Sequence, residues 1–376
     1  MEPNNPFLIT GYHSPKYFCD RRTETATMLE ALYNGRNITL IAPRRIGKTG
    51  LIQHVFYNLK NQKSDIVTLY MDIYSTQSLG DFVKLLANTV LGKLDSEPQK
   101  TLSRITKFIR SCRPIFTFDE ITGSPQVSID ISPNDEEKTL KEIFDYISSS
   151  EKRCYIAIDE FQQITEFNNS KTFQKKLRAV WQLQKSVSYC LFGSKKHLMN
   201  ELFEKKSLPF YKFGDVIYLP KIQTSYWIDF ICNRFKSTGK QISKELAEKI
   251  CLAVDNHSSY VQQLSWLVWI HTDDIATEDD FEIAFQDIID QNTPLFEKQT
   301  ENLTSYQINF LRAIIDGVHS EFTSQDVINK YQLGSSANVS TIKRALVKKE
   351  IIEIEKRLID IPDPIMKVWL KRELSY

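Results

Sequence analysis

The stretch Leu40 to Ile52, LIAPRRIGKTGLI, constrains this chain more than any other. An apolar, β-rich run leads into Gly47-Lys48-Thr49, and an amphipathic run follows. The order is strand, loop, helix, in which backbone N–H groups converge on an anion at a helix N-terminus. The phosphate-loop consensus, G-x-x-x-x-G-K-[ST], is met in its second half, but the first glycine is replaced by Ala42. That position mainly admits a tight turn. Alanine keeps the side chain minimal there, and Pro43 stiffens the entry. The candidate phosphate-binding set is therefore Pro43, Arg44, Arg45, Ile46, Gly47, Lys48, Thr49 and Gly50. Gly47 lets backbone approach phosphate, Lys48 reaches the β- and γ-phosphates, and the Thr49 hydroxyl holds Mg²⁺. A lone G-K-T is a weak signal, and the flanking strand and helix strengthen it.

Such a loop needs acids at the end of a second strand. CYIAIDEFQQI provides an apolar run ending in Asp159 and Glu160. Asp159 is expected to join Thr49 in the magnesium shell, and Glu160 to act as general base on the attacking water. A further apolar run ends LFGSKKH, which puts Ser194 forward as a sensor of the γ-phosphate, with a plain turn serine as the alternative. Arg178, in KKLRAVWQ, reads as a surface charge rather than a phosphate sensor.

The first two-thirds of the chain alternate strand-like and helical runs. Strands are expected over 38–43, 65–75, 154–161, 188–194 and 215–222. Apolar runs without alternation suit strands buried on both faces, and alternation with helices implies a parallel α/β sheet. Between the second and third, two β-like runs flank Thr122-Gly123-Ser124-Pro125, a turn signal, so an inserted hairpin is expected near 114–132. From Ser225 the pattern is purely helical, with Ser243 and Thr277 as N-caps and an acidic first turn around Glu282. A polar link, QNTPLFEKQTEN, leads to three helices, a short strand pair and a last helix, the layout of a winged helix-turn-helix. Thr323, with Asp326 at the box position, is the expected cap of the second of these helices.

Charge follows the same division. Residues 1–221 hold 31 basic and 24 acidic groups (+7), residues 222–300 hold 6 and 13 (−7), and residues 301–376 hold 11 and 10 (+1). Three regions are thus expected: a core over 1–221, a helical lid over 222–300 and the winged helix over 301–376. With 41% hydrophobic and 25% charged residues, the chain is globular rather than disordered. Its net charge of +1 announces no polyanionic partner. Six scattered cysteines without C-x-x-C spacing argue for free thiols and against zinc. No apolar run spans a membrane and no signal peptide is evident, so a cytoplasmic protein without a membrane partner is expected.

Taken together, YFCDRRTET, APRRIGKTGLI, AIDEFQQI, LFGS and DPIMKVWLKREL resemble the archaeal-ATPase type of prokaryotic P-loop ATPase, a relative of AAA+ and STAND proteins, especially its Bacteroidetes-type members. The resemblance spans nearly the whole chain. It implies an ASCE-type P-loop NTPase core, a helical lid, a C-terminal winged helix, and ATP rather than GTP. It also implies that Phe18-Cys19-Asp20-Arg21 wraps the adenine, which makes Asp20 and Arg21 candidate nucleotide contacts. The plain alternative is a helix start capped by Asp20 or Thr23. Two departures bear on hydrolysis. Relatives often carry a glycine-arginine pair before the fifth strand, where this chain reads PFYKFGDVIYL with Lys212 nearby. AAA+ lids place a sensor arginine where this chain reads NHSSYVQQL. Some relatives append a nuclease domain, which is not expected here.

In the tail, Ile342, Ala345 and Leu346 form the expected core stripe of the third helix. Lys343, Arg344, Lys348 and Lys349 would face outward, and Lys356 and Arg357 sit on the wing. Glu350, Glu353 and Glu355 stand beside them, and winged helices also contact proteins. DNA and a protein partner both stay open. The expected function is an Mg²⁺-dependent ATPase in which nucleotide state sets the angle of lid and winged helix, with DNA as one open target. The alternative is a STAND-like nucleotide-gated switch that recruits a protein with little hydrolysis.

Overall fold

The computed structural model describes residues 4–62, 65–91, 93–94, 105, 107–118, 125–132, 135–150 and 152–374. The chain forms two compact units, one over Gly11–Lys221 and the other joining the N-terminal residues up to Thr10 with Ile222 onward.

The first unit runs α1 (Arg22–Tyr33), β1 (Ile38–Ile41), α2 (Lys48–Gln62), β2 (Ile66–Asp72), α3 (Leu79–Val90), β3 (Cys112–Phe118), β4 (Pro125–Ile131), α4 (Glu136–Ser148) and β5 (Arg153–Asp159). It continues with α5 (Ser170–Leu183), β6 (Val187–Gly193), α6 (Lys196–Glu204) and β7 (Asp215–Tyr218). Five strands make one parallel sheet in the order β2-β5-β6-β1-β7. Along β5, Cys154, Ile156 and Ile158 join one apolar cluster, while Tyr155 and Ala157 join another. Successive side chains of a strand point to opposite faces, so a sheet covered on both sides demands an unbroken apolar run. One cluster centres on Trp181, which stacks on Tyr189 at 4.1 Å.

The expected α/β parallel core is present, with shorter strands. The run expected over 154–161 ends at Asp159, because Glu160 turns left-handed (φ 53°) into a 3-10 helix, Phe161–Glu166. The run over 65–75 ends at Asp72, whose carboxylate accepts the Tyr74 N–H at 2.9 Å. The inserted hairpin is β3 paired antiparallel with β4. Its turn signal at Thr122, Gly123 and Ser124 lies outside the described residues. The cap expected at Asp20 or Thr23 is not used. Arg21 stands at the cap position of α1 in a left-handed conformation and caps with no side-chain hydrogen bond.

The second unit runs α7 (Thr224–Lys236), α8 (Lys244–Ala253), α9 (Ser258–His271), α10 (Glu278–Thr300), α11 (Ser305–Ile315), α12 (Gln325–Lys330), α13 (Ser336–Lys348), β8 (Glu353–Glu355), β9 (Leu358–Asp360) and α14 (Pro364–Leu374). Ser243 and Thr277 cap as expected, Thr277 in a reciprocal box with Asp280. The acids of that first turn are Glu278, Asp279 and Asp280, and Glu282 sits one turn later, paired with Lys249 at 2.9 Å.

The polar link expected at 291–302 is instead mostly helix: α10 runs through Pro294 to Thr300. Proline removes one donor from a helix interior. Phe296, buried and 5.7 Å from Trp369, offsets that cost by burying an aromatic ring, about 2–3 kcal/mol. The cap expected at Thr323 is Ser324, which accepts the Val327 N–H and leaves Asp326 at the second helical position. The wing is as expected, with β8 and β9 joined through Lys356 and Arg357, both left-handed (φ 48° and 76°).

Asp363 ties this unit together. Its Oδ1 accepts the N–H groups of Ile365 and Met366, each at 3.0 Å, capping α14. Its Oδ2 accepts the hydroxyl of buried Tyr260 in α9 at 2.7 Å. Asp363→Ala is expected to destabilise the winged-helix region by about 1–2 kcal/mol. Urea unfolding checks this, and an unchanged midpoint would show that the cap is energetically idle.

Candidate functional site

The sheet order builds the site. Because β6 lies between β1 and β5, the residue that follows β6 sits between the residues that follow the other two strands. Those three ends carry the loop from Ala42, the acids Asp159 and Glu160, and Ser194. All lie at the C-terminal edge of a parallel sheet, where open α/β folds place their ligands.

In the loop, Arg45 is left-handed (φ 59°) and Gly47 has φ 95°. Alternating backbone conformations of this kind turn successive N–H groups to one side, an anion-binding nest. Ala42 is 1% exposed and has no positive φ, so a β-carbon costs nothing there, whereas Gly47 sits in the region that favours glycine. Lys48 opens α2 and is buried. Its Nζ donates to the carbonyls of Ala42 (3.1 Å) and Pro43 (2.7 Å). Burial pulls its pKa down to about 8 against the supporting charges of Glu160 and Asp159. A polyphosphate beside it would favour the charged form.

Thr49 donates its hydroxyl to Asp159 Oδ2 at 3.2 Å. Tyr70 of β2 donates to the same oxygen at 2.7 Å, and the Glu160 N–H donates to Oδ1 at 2.8 Å. Burial raises the pKa of Asp159, the Glu160 and Asp72 charges add to this, and those two donors oppose it. A cation at this carboxylate would relieve that strain.

Glu160 Oε2 accepts the Ser194 hydroxyl at 3.0 Å and the side-chain amide of Gln162. The Ser194 oxygen in turn accepts from Arg44 Nε at 3.2 Å. One set of hydrogen bonds thus joins Thr49, Asp159, Glu160, Ser194 and Arg44. Arg21 is 2% exposed and braces the loop from behind, donating to the Ile46 carbonyl at 3.3 Å and pairing with Glu24 at 3.0 Å. Asp20 precedes it, also left-handed (φ 51°) and half-buried. Gly50 lies in the first turn of α2, where a β-carbon would meet the Phe18 ring at an ordinary 3.6 Å.

Arg178 lies toward the other edge of the sheet, half-buried, 4.9 Å from the ring of Phe213, which precedes β7. Half-buried against that ring, it is not a plain surface charge. Lys212, exposed and also before β7, stands at that same N-terminal edge.

Sequence reasoning gave no role to Tyr70 and Gln162. No pattern announces Tyr70: it reaches the site only because β2 pairs with β5 in the register Tyr70↔Ala157 and Asp72↔Asp159. Gln162 stood in the quoted D-E-F-Q run, whose spacing was its only signal.

On α13, Val339, Ile342 and Leu346 are buried, and Ala345 is half-buried at the margin. Arg344, Lys348, Lys349, Lys356 and Arg357 are exposed as expected. Lys343 is not: it is half-buried, 5.4 Å from the Phe322 ring, and burial lowers its pKa. Among the described residues, no helix is long and apolar enough to cross a membrane.

Comparison with solved structures agrees with this architecture. A Walker-type ATPase of Pyrococcus abyssi matches with a TM-score of 0.68 at 16% identity, covering 97% of this chain and 99% of that one. The ORC2 protein of Aeropyrum pernix, in ADPNP-ADP complexes, matches at 0.59 and 12% identity, covering 98% of each chain. The ORC1 protein of the same organism, in complex with DNA, matches at 0.52 and 12%, covering 96% of this chain and 95% of that one. At such identities the likeness concerns the fold. No curated protein matches the sequence. A family model described as "Probable winged helix domain" matches residues 294–372. A second, described as "ATPase domain predominantly from Archaea", matches residues 18–264, well over half of the chain. By that match, and by the P-loop architecture that carries it, the chain belongs to the archaeal-type ATPase family and ends in a winged-helix domain.

Proposed function

We propose that this protein binds and hydrolyses ATP and couples its nucleotide state to the lid and winged helix. The observation that carries this reading is the hydrogen-bonded set from Thr49 through Asp159, Glu160 and Ser194 to Arg44, across three neighbouring strand ends. The loop N–H groups and Lys48 hold the β- and γ-phosphates, and Thr49 and Asp159 hold Mg²⁺. The donor set fits that ion: a hydroxyl and a carboxylate are hard oxygen ligands. When bound, Mg²⁺ neutralises charge on the β- and γ-oxygens.

Glu160 takes a proton from the attacking water, whose oxygen bonds to the γ-phosphorus as the bond to the β-bridging oxygen breaks, giving ADP and phosphate. Ser194 orients Glu160, and Arg44 orients Ser194. Arg21 acts by bracing the loop, which leaves Asp20 as the adenine-side candidate. The domain division at 221 and 300 and a cytoplasmic setting belong to the same reading. Free cysteines suit a reducing compartment.

Calorimetric titration with ATP and ADP, with and without Mg²⁺, tests the proposal together with a phosphate-release assay. One-site binding and Mg²⁺-dependent release are expected, and absence of binding sinks it. For the target, the exposed Arg344, Lys348, Lys349, Lys356 and Arg357 support duplex DNA, and an ORC1 protein of like fold has been solved with DNA. Labelled duplex should then bind with a salt-dependent affinity that weakens in the Arg344→Ala/Lys348→Ala double variant.

A second reading, a nucleotide-gated switch recruiting a protein, is favoured by the absence of arginine from Asn256–Leu264 at the start of α9. Tight ATP binding with negligible turnover and no DNA affinity would select it.

A further inference from the structure

We infer that Gln162 is a positioning residue for the hydrolytic base, and that Gly193 is glycine in order to make room for it. The inference rests on Glu160 being that base.

Glu160 does not continue β5. It turns left-handed (φ 53°) into the 3-10 helix, so the alternation of the strand does not set its side chain. Two donors fix it instead, and both fall on the same oxygen: the Ser194 hydroxyl and the Gln162 side-chain amide bond to Oε2. Among the described hydrogen bonds, Oε1 accepts none. Oε1 is therefore the oxygen presented to water, and Oε2 is the handle.

The amide orientation follows from chemistry. A carboxylate only accepts, so the group facing Oε2 must be the NH₂ of Gln162. Its carbonyl oxygen, Oε1, then points inward, where it is buried and has no hydrogen-bond partner among the described residues. A buried unpaired carbonyl costs stability. A glutamine kept in that state, 3% exposed, is not explained by packing, which a methionine would satisfy as well.

Gly193 gives the second, independent observation. It is the last residue of β6, beside Ser194, and its φ is not in the left-handed region, so conformation does not call for glycine. Space does. A β-carbon at 193 would lie 1.9 Å from Gln162 Oε1 and 3.1 Å from Met199 Sδ. Any larger residue would push the amide off Glu160. The strand that brings Ser194 to the base is thus also cut away to admit Gln162.

The test compares wild type with Gln162→Met, Gly193→Ala, the double variant and Glu160→Gln, measuring steady-state hydrolysis and calorimetric ATP affinity. Gln162→Met keeps shape and apolar packing, so it folds as wild type does. It is expected to lower kcat by roughly tenfold or more with KM and ATP affinity nearly unchanged, as misplacement of a reacting group does. Gly193→Ala should reproduce that loss, and the double variant should lose no more than either single one. Gln162→Met with wild-type kcat, or losses that multiply, overturns the inference while Glu160→Gln is inactive. A Glu160→Gln variant as active as wild type removes the base reading itself, and the inference with it.

Discussion

Glu160→Gln is expected to lower kcat for ATP hydrolysis by about 10²–10⁴, the range typical of a general base, with ATP affinity close to wild type. The substitution is nearly isosteric. Its carbonyl oxygen can still accept from Ser194 and Gln162, and the backbone N–H still donates to Asp159 Oδ1. What disappears is the capacity to take a proton from water. Asp159→Asn should behave differently. It removes the charge expected at the metal, so Mg²⁺-dependent ATP affinity falls along with turnover. If both variants weaken binding equally and neither lowers kcat selectively, the two acids do not divide the roles assigned here. Single-turnover phosphate release with calorimetry on the same samples separates the cases.

What could be read in the sequence follows from which forces are local. The phosphate loop was legible because strand, loop and helix lie within thirteen residues, and each signal is a property of its own segment. Asp159 and Glu160 were legible because a sheet buried on both faces forces an apolar run, and two acids ending such a run stand out. Side-chain partnerships were not legible. Tyr70 on Asp159 depends on the β2–β5 register, and Gln162 against Gly193 depends on β6 lying next to β5. Register and neighbour order are set by the whole sheet, not by any window of sequence. The link at 291–302 failed for a related reason. Its composition is polar and holds Pro294, but the tertiary burial of Phe296 against Trp369 decides for helix. The tolerance expected of alanine at position 42 has its reason in the backbone. The consensus asks for glycine, whereas the backbone there has no positive φ and needs none.

Lys48→Met is expected to weaken ATP binding at least about 100-fold, since hydrogen bonds to charged groups contribute about 1.5–3 kcal/mol each and the ammonium would serve two phosphates. Thermal denaturation reads this directly. ATP at 100 times its Kd stabilises wild type by about 2.7 kcal/mol; the same concentration would stabilise the variant by about 0.4 kcal/mol. For a domain of this size ATP raises the melting temperature of wild type by roughly 5–9 °C more than that of the variant. Without nucleotide the two proteins should melt within a few degrees of each other. Methionine releases a buried charge whose pKa burial has pulled down to about 8, but it also leaves the Ala42 and Pro43 carbonyls without their donor. Those terms oppose one another. Lys48→Arg sharpens the test, because it keeps the charge and loses the shape. The ammonium sits in a 7% exposed slot between two carbonyls, which a planar guanidinium does not fit. If charge alone matters, the arginine variant retains the ATP-induced shift. If the slot matters, it loses the shift as the methionine variant does, and this geometry favours the loss.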